Sequence, residues 1–245
     1  MDSGLLGAGL GVASAAGALA WAVRGKSAQV LAPSVWHGDS TRHAVALTFD
    51  DGPSESTPAL LELLQRFDAR ATFFMCGRNV RRLNTVAREV ASAGHQIGNH
   101  TETHPRFDFK SRGFMYDEIS RAQKTIYRAT GVTPQWFRPP YGVRWFGLGG
   151  VQARLKLTSV MWTVIGQDWR WDGPRVARLM IRRATKGAIL CLHDGRALAE
   201  SPDIRSTLEA VEYFVPKLQD QGYKFETLSE ILCAKATSRK MSFHG

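Results

Sequence analysis

Two adjacent carboxylates, Asp50 and Asp51, end a short apolar run and are followed by Gly52-Pro53. Asp-Asp-Gly-Pro is by itself a turn composition. Two charges at the end of a strand nevertheless sit close to the core, and a nearby cation would remove that cost and keep both ionised. Further along, His100-Thr-Glu-Thr-His104 sets two imidazoles four residues apart, a spacing that suits metal ligation. The pattern is not His-Glu-x-x-His, so Glu102 has no role as a helix-borne base and reads as a solvated bystander. Two imidazoles and one carboxylate make three protein ligands and leave a position open, the arrangement of a catalytic rather than a structural zinc site. Such an ion lowers the pKa of water to about 7 and polarises a carbonyl. Asp50 and Asp51 would then divide the work, one as ligand and one as base. His193-Asp194, at the end of another apolar run, offers a general acid for a leaving group. The chemistry these residues suggest is metal-assisted hydrolysis.

The elements that must position them alternate. Ala44–Phe49 reads as a strand, and Thr57-Pro58 opens a helix with Thr57 at the N-cap. Ala71–Met75 is a strand. Val80, Leu83, Val86, Ala87 and Val90 recur at helical spacing before Gly94. Gln96–Gly98 is a brief strand, Tyr116–Thr130 a helix ended by Gly131, Trp136–Phe137 a short strand and Ser159–Val164 a clearer one. Pro174–Thr185 is a helix, Ala188–Leu192 a buried strand, and Ile204–Gln221 a helix in which Pro216 is placed to cause a kink. Lys224–Thr227 and Leu228–Ala234 finish the series, and about seven strands separated by helices indicate a parallel α/β fold. Asp50, Asp51, His100, His104, Arg138, Asp168 and His193 each follow a strand, and ligands of parallel folds bind at strand carboxyl ends. A closed or nearly closed barrel brings five such loops to one mouth; an open sheet spreads them along an edge. The expected fold is therefore a distorted (β/α) barrel of about seven parallel strands.

The 245-residue chain is 44% hydrophobic and 22% charged, an ordinary composition for one large domain. Cys76, Cys191 and Cys233 are too few and scattered for a disulfide framework or a structural zinc site. The net charge of +10 favours anionic surfaces. The basic residues are nonetheless spread in pairs, with no Lys/Arg run or aromatic-basic motif, so no nucleic-acid partner is expected. Ser3–Val23 carries no charge and is rich in Gly, Ala and Leu; about 20 apolar residues can span a bilayer. Only Asp2 precedes the run, whereas Arg24 and Lys26 come after it, which favours an uncleaved anchor over a signal peptide. The competing readings are a Gly/Ala-rich helix packed on the domain and a disordered tail. The expected organisation is an apolar segment at 1–33, a catalytic domain at 34–235 and a tail at 236–245.

Taken together, Thr48-Phe49-Asp50-Asp51-Gly52-Pro53, His100-Thr101-x-x-His104, Arg138-x-Pro140-Tyr141-Gly142, Asp168-Trp169 and Leu192-His193-Asp194 resemble, in order and spacing, the NodB-homology polysaccharide deacetylases of carbohydrate esterase family 4. The similarity runs from about His43 to Ile231. The resemblance implies Asp50 as base, Asp51, His100 and His104 as ligands of a divalent metal (zinc the expected ion), and Arg138 orienting Asp50. It further implies the Tyr141 N–H as oxyanion donor, Asp168 tuning His193, His193 as acid, and Trp169, Pro140 and Cys191 about the substrate pocket. The implied activity is removal of acetyl groups from N-acetylated amino sugars in a peptidoglycan- or chitin-like glycan. An O-acetyl glycan, a lipid-linked sugar and a catalytically silent glycan-binding module are the alternatives. Two positions depart from the family pattern. Ile165 stands where an Asp often precedes the Asp-Trp pair, and Cys191 where a Leu commonly lines the acetyl pocket. Family members act outside the cytoplasm, so the expected location is the cell envelope, anchored or secreted. Arg24 and Lys26, by the positive-inside rule, vote the other way.

Overall fold

The nine-residue strand at the centre of the sheet is buried along its whole length, as parallel strands covered on both faces are. The computed structural model describes residues 16–232. The strands are β1 (Ser34–Val35), β2 (Ala44–Gly52), β3 (Ala71–Met75), β4 (Gln96–Asn99), β5 (Trp136–Phe137), β6 (Thr158–Val160), β7 (Val164–Ile165), β8 (Ile189–His193) and β9 (Lys224–Phe225). They form one nine-stranded sheet in the order β1-β6-β5-β4-β3-β2-β8-β7, with β9 beside the start of β2. All of these ladder pairs are parallel.

The sheet is curled into a barrel. β6 and β7 stand six strand positions apart in the order, a distance of about 28 Å if flat. Val160 and Val164 are only four residues apart in sequence, which the chain can stretch to about 15 Å at most. Residues 161–163 therefore cross the seam. The Met161 N–H donates to the Val35 carbonyl on one side (2.7 Å), and the Thr163 N–H to that of Ile189 on the other (2.8 Å). The single strand expected at Ser159–Val164 is thus two strands at opposite ends of the sheet.

Alternation along each strand separates two cores. Val45, Leu47 and Phe49 of β2, Phe73 and Met75 of β3, and Leu190 and Leu192 of β8 pack outward. Against them lie α2 (Thr57–Arg66), α4 (Asn84–Ser92), α7 (Gly173–Arg183) and α8 (Arg205–Asp220). Ala44, Ala46, Phe74 and Ile189 point inward with Leu228 and Ile231 of the helix at 228–232, plugging one end of the barrel. Thr48, Asp50, Cys191 and His193 share this inward phase toward the other end. The chemistry sits there because the alternation puts it there.

Several expected elements differ in their bounds. Ser56, not Thr57, is the N-cap of α2. The helical run at 80–90 breaks at Leu83 into α3 (Gly77–Arg82) and α4. α5 starts earlier, at Arg112, where the Ser111 hydroxyl accepts from the Phe114 N–H. α8 continues through Pro216. α6 (Leu148–Leu155) and β1 were not anticipated. Residues 1–15 of the expected apolar segment at 1–33 and the whole tail at 236–245 lie outside the described residues. Residues 16–24 form α1, whose Ala22 and Val23 are buried. The buried Arg144 pins the chain between α1 and β1: its guanidinium donates to the Ala28 carbonyl (2.6 Å), the Ser34 hydroxyl (3.0 Å) and the Gly25 carbonyl. Among the described residues, no helix is long and apolar enough to cross a membrane.

Candidate active site

The Asp50-Asp51 pair is built by a one-residue irregularity in β2. Asp50 faces Phe74 of β3, and the next paired residue is Gly52, opposite Met75. Asp51 is the extra residue of this bulge, at φ 73°. Expected as a turn, the motif is a strand with an insertion, and the insertion turns two consecutive carboxylates toward the same mouth. Gly52 is required: a Cβ there would lie 2.1 Å from Oδ2 of Asp194.

Asp51 Oδ2 accepts from the Ala197 N–H at 2.7 Å. Oδ1 lies 3.3 Å from Nε2 of His100 and 3.0 Å from Nε2 of His104, yet has no hydrogen bond of acceptable geometry. His100 Nδ1 is 2.7 Å from the Arg138 carbonyl. A carbonyl only accepts, so Nδ1 carries the proton and the Nε2 lone pair points toward a carboxylate oxygen. Two lone pairs facing each other in a buried setting call for a cation between them. The three donor atoms lie within 4.8 Å of one another, and two imidazoles with one carboxylate suit a zinc-like divalent ion. The loop carrying the histidines is fixed locally. Asn99 Oδ1 accepts from the Thr101 N–H (2.8 Å), and the Thr101 hydroxyl from the His104 N–H (3.0 Å).

Arg138 is fully buried. Its guanidinium donates to Asp50 Oδ1 (2.6 Å), the Thr48 hydroxyl (2.9 Å) and the carbonyls of Val160 (3.0 Å) and Met161 (3.1 Å), and covers the Phe74 ring at 4.1 Å. Two of these acceptors belong to the barrel seam, so the seam also fixes the Asp50 carboxylate. The Cys191 thiol lies 3.4 Å from Asp50 Oδ2, beneath the carboxylate.

Across the cleft, His193 Nδ1 is 2.9 Å from Asp168 Oδ1, leaving Nε2 toward the cavity. Asp168 Oδ2 accepts from the Thr207 hydroxyl (2.6 Å) and the His193 N–H (3.0 Å). Burial would lower the His193 imidazolium, but the Asp168 charge and hydrogen bond outweigh it, with Asp51 and Asp50 adding, and the group is pushed up to about 9. Asp194 turns away from the cleft. Its Oδ2 accepts from the Thr57 hydroxyl (2.7 Å), and burial, opposed by that bond, pushes its carboxyl up to about 7.

These groups open on one cavity of about 520 Å³. Asp50, Asp51, His100, His104 and His193 line it with Tyr141, Trp162, Ile165, Trp169, Arg196 and Ala197. The Trp169 ring meets His193 edge-on at 5.0 Å. Tyr141 adopts φ 58° within the turn at 140–142. The Gly142 and Val143 N–H groups are taken by the Pro139 and Pro140 carbonyls, and that of Tyr141 is not. Pro139, rather than Pro140, lines the cavity. Trp162, Arg196 and Ala197 were missed by the sequence reading. Arg196 follows His193 by three residues and donates to the Asp168 carbonyl (3.1 Å); its position in the same strand-end loop was the available signal. Glu102, expected to be solvated, is instead fully buried and paired with Arg81, because α3 packs over it.

The profile of the polysaccharide deacetylase family matches residues 37–157. The peptidoglycan-N-acetylglucosamine deacetylase PgdA of Listeria monocytogenes is 33% identical over 205 residues, covering 83% of this chain and 42% of that protein. The chain thus spans less than half the length of this relative. A chitooligosaccharide deacetylase of Azorhizobium caulinodans is 36% identical over 196 residues, covering 76% of this chain and 92% of that protein. Among solved structures, a carbohydrate esterase family 4 pseudoenzyme from Bacillus anthracis superposes with a TM-score of 0.74 at 30% identity, covering 82% of this chain and 69% of that one.

Proposed function

Because the chain belongs to the polysaccharide deacetylase family, we propose that it hydrolyses the acetamide of N-acetylated amino sugars in a peptidoglycan- or chitin-like glycan of the cell envelope, with residues 34–235 as the catalytic domain. The observation that carries this reading is the shared cleft. The Asp51–His100–His104 set, a buried carboxylate at Asp50 and a charged imidazole at His193 all face one cavity. The substrate class is supported by what the names of the Listeria and Azorhizobium relatives state.

Asp51, His100 and His104 would hold a divalent cation, zinc by donor type, whose chemistry is Lewis-acid polarisation of the acyl oxygen and acidification of water. Asp50 removes the proton of the attacking water. Arg138, bound to Oδ1, orients that carboxylate. The Tyr141 N–H donates to the developing oxyanion, a contribution of roughly 3–4 kcal/mol per donor in hydrolases. His193, held charged by Asp168, gives a proton to the leaving amine from Nε2. Trp169 and Trp162 wall the sugar, and Cys191 supports Asp50 from below. The related Bacillus anthracis pseudoenzyme shows that this fold need not be active. Here base, acid and all three donors are present.

The test is acetate release from N-acetylglucosamine oligomers and, in parallel, from an O-acetylated xylan. The expected result is turnover of the amide, lowered by about 10²-fold or more in Asp50→Asn. Turnover confined to the ester would move the substrate class. Unchanged turnover in Asp50→Asn would remove the base.

A further inference from the structure

Beside the mouth of the cleft, a group of large apolar side chains faces solvent. Phe109 is 84% exposed, Phe146 58% and Trp21 51%. Isolated exposed apolar residues are ordinary; a connected set is not. These are connected. Phe109 packs on Trp145 (ring centroids 4.7 Å apart), and Trp145 on Phe146 (5.3 Å). The Arg144 N–H next to them donates to the Val23 carbonyl at 3.0 Å, which ties α1, with Leu19 and Trp21 on its open side, to the same wall. Below lies a rigid floor that includes Val23, Phe107, Val143 and Leu148, all buried. The outward display is therefore held by packing and is not a frayed loop.

The polar groups interleaved with this surface are mostly cationic. Lys110 sits over the Phe114 ring at 5.2 Å, and the Arg112 side chain runs past Gly147. Asp108 is the acidic side chain among them, and it is bound by Arg106 with Arg24 nearby. Arg106 also covers Tyr141 at 5.6 Å, so the surface continues to the edge of the catalytic cavity.

We propose that the face formed by residues 19–24, 106–114 and 144–146 docks on an anionic lipid surface and holds the cleft mouth beside the bilayer. Aromatic and aliphatic side chains set among Lys and Arg match the interfacial region of a membrane, where rings enter the headgroup layer and cations meet lipid phosphate. A chitin-like glycan is neutral and gives no reason for the cations, and the carboxylates of a peptidoglycan give none for the exposed Leu19, Phe109 and Phe146. The uncharged stretch Ser3–Val23 leads into this face, which adds lipid over a soluble partner. Docking of this kind needs no spanning helix. It places the deacetylase to act on glycan close to the membrane.

The experiment is co-sedimentation of the full chain with vesicles of 30% phosphatidylglycerol in phosphatidylcholine, and with phosphatidylcholine alone, at low and high salt. The Phe109→Asp/Phe146→Asp variant should bind the anionic vesicles at least tenfold more weakly. Arg24→Glu/Lys110→Glu should lose the preference for phosphatidylglycerol and the salt dependence. All four side chains are exposed, so folding is not at stake; thermal midpoints check it. Equal binding of wild type and both variants, or no vesicle binding at all, overturns the proposal. So does intact vesicle binding in the Phe variant with a raised KM for long oligosaccharides, which would make the face a glycan subsite. Vesicle binding is read without turnover, so its failure is distinct from failure of the deacetylase reading.

Discussion

Replacing Asp168 by Asn keeps the shape of the His193 partner and removes its charge. In the native protein the imidazolium is pushed from 6.5 to about 9, which is worth roughly 3 kcal/mol in favour of the charged form. Asp168 is the largest raising influence, at 2.9 Å from Nδ1. Without it, burial acts unopposed except by the more distant Asp50 and Asp51, and the group should titrate near 6.5 or below. At pH 8 the native acid is about 90% protonated and the variant about 3%, so the variant's rate should fall about 30-fold there and little at pH 5.5. The alkaline limb of the pH–kcat profile should therefore move from about 9 to below 7. Stability obeys the same linkage. A histidine whose folded pKa is raised contributes fully below its free value of 6.5, and the contribution is lost as pH rises through about 9. The variant should be less stable than native by up to roughly 3 kcal/mol at pH 6, with the gap narrowing as pH rises past about 6.5 and closed above about pH 9. The profile comes from acetate release, and the stabilities from denaturant melts at each pH. An alkaline limb that stays near 9 in Asp168→Asn would refute the assignment of Asp168 as the group that holds the acid charged.

Two further substitutions test the buried charges. Arg138→Met leaves the Asp50 carboxylate without its 2.6 Å partner inside the barrel; loss of one member of a buried pair costs about 3–5 kcal/mol, to be read as a lowered urea midpoint. Glu102→Ala strands Arg81 and empties a fully buried site under α3. It should cost roughly 1–3 kcal/mol without changing the amount of zinc bound, which distinguishes it from His104→Ala in a metal-content assay.

The chemistry-bearing residues were legible because each stands at a strand end. Asp50, His100, Arg138, Asp168 and His193 could be assigned to one mouth once the strands were taken as parallel. What the sequence hid is local. A bulge adds one residue to a strand and leaves no mark on hydrophobic periodicity, so the turn of Asp51 toward the mouth was not visible. Ser159–Val164 reads as one strand because buried parallel strands do not alternate; that Met161 and Thr163 bond to opposite ends of the sheet depends on closure. Gly147, Gly149 and Gly150 masked α6, whose Leu148 and Val151 are buried at helical spacing. Glu102 looked solvated because its cover, Arg81 and α3, comes from another loop. Arg196 joins the site only through the turn after His193.

In the proposed reaction, Asp51, His100 and His104 together hold the divalent cation on which acetate release depends. The direct measurement is metal content and acetate release on one preparation, stripped with a chelator and then titrated with zinc, in the native protein and in His104→Ala. The expected result is an inactive stripped protein, recovery that saturates at one zinc per chain, and neither tight binding nor recovery in the variant. Full acetate release by the metal-free native protein, or tight stoichiometric zinc binding in His104→Ala, would contradict it.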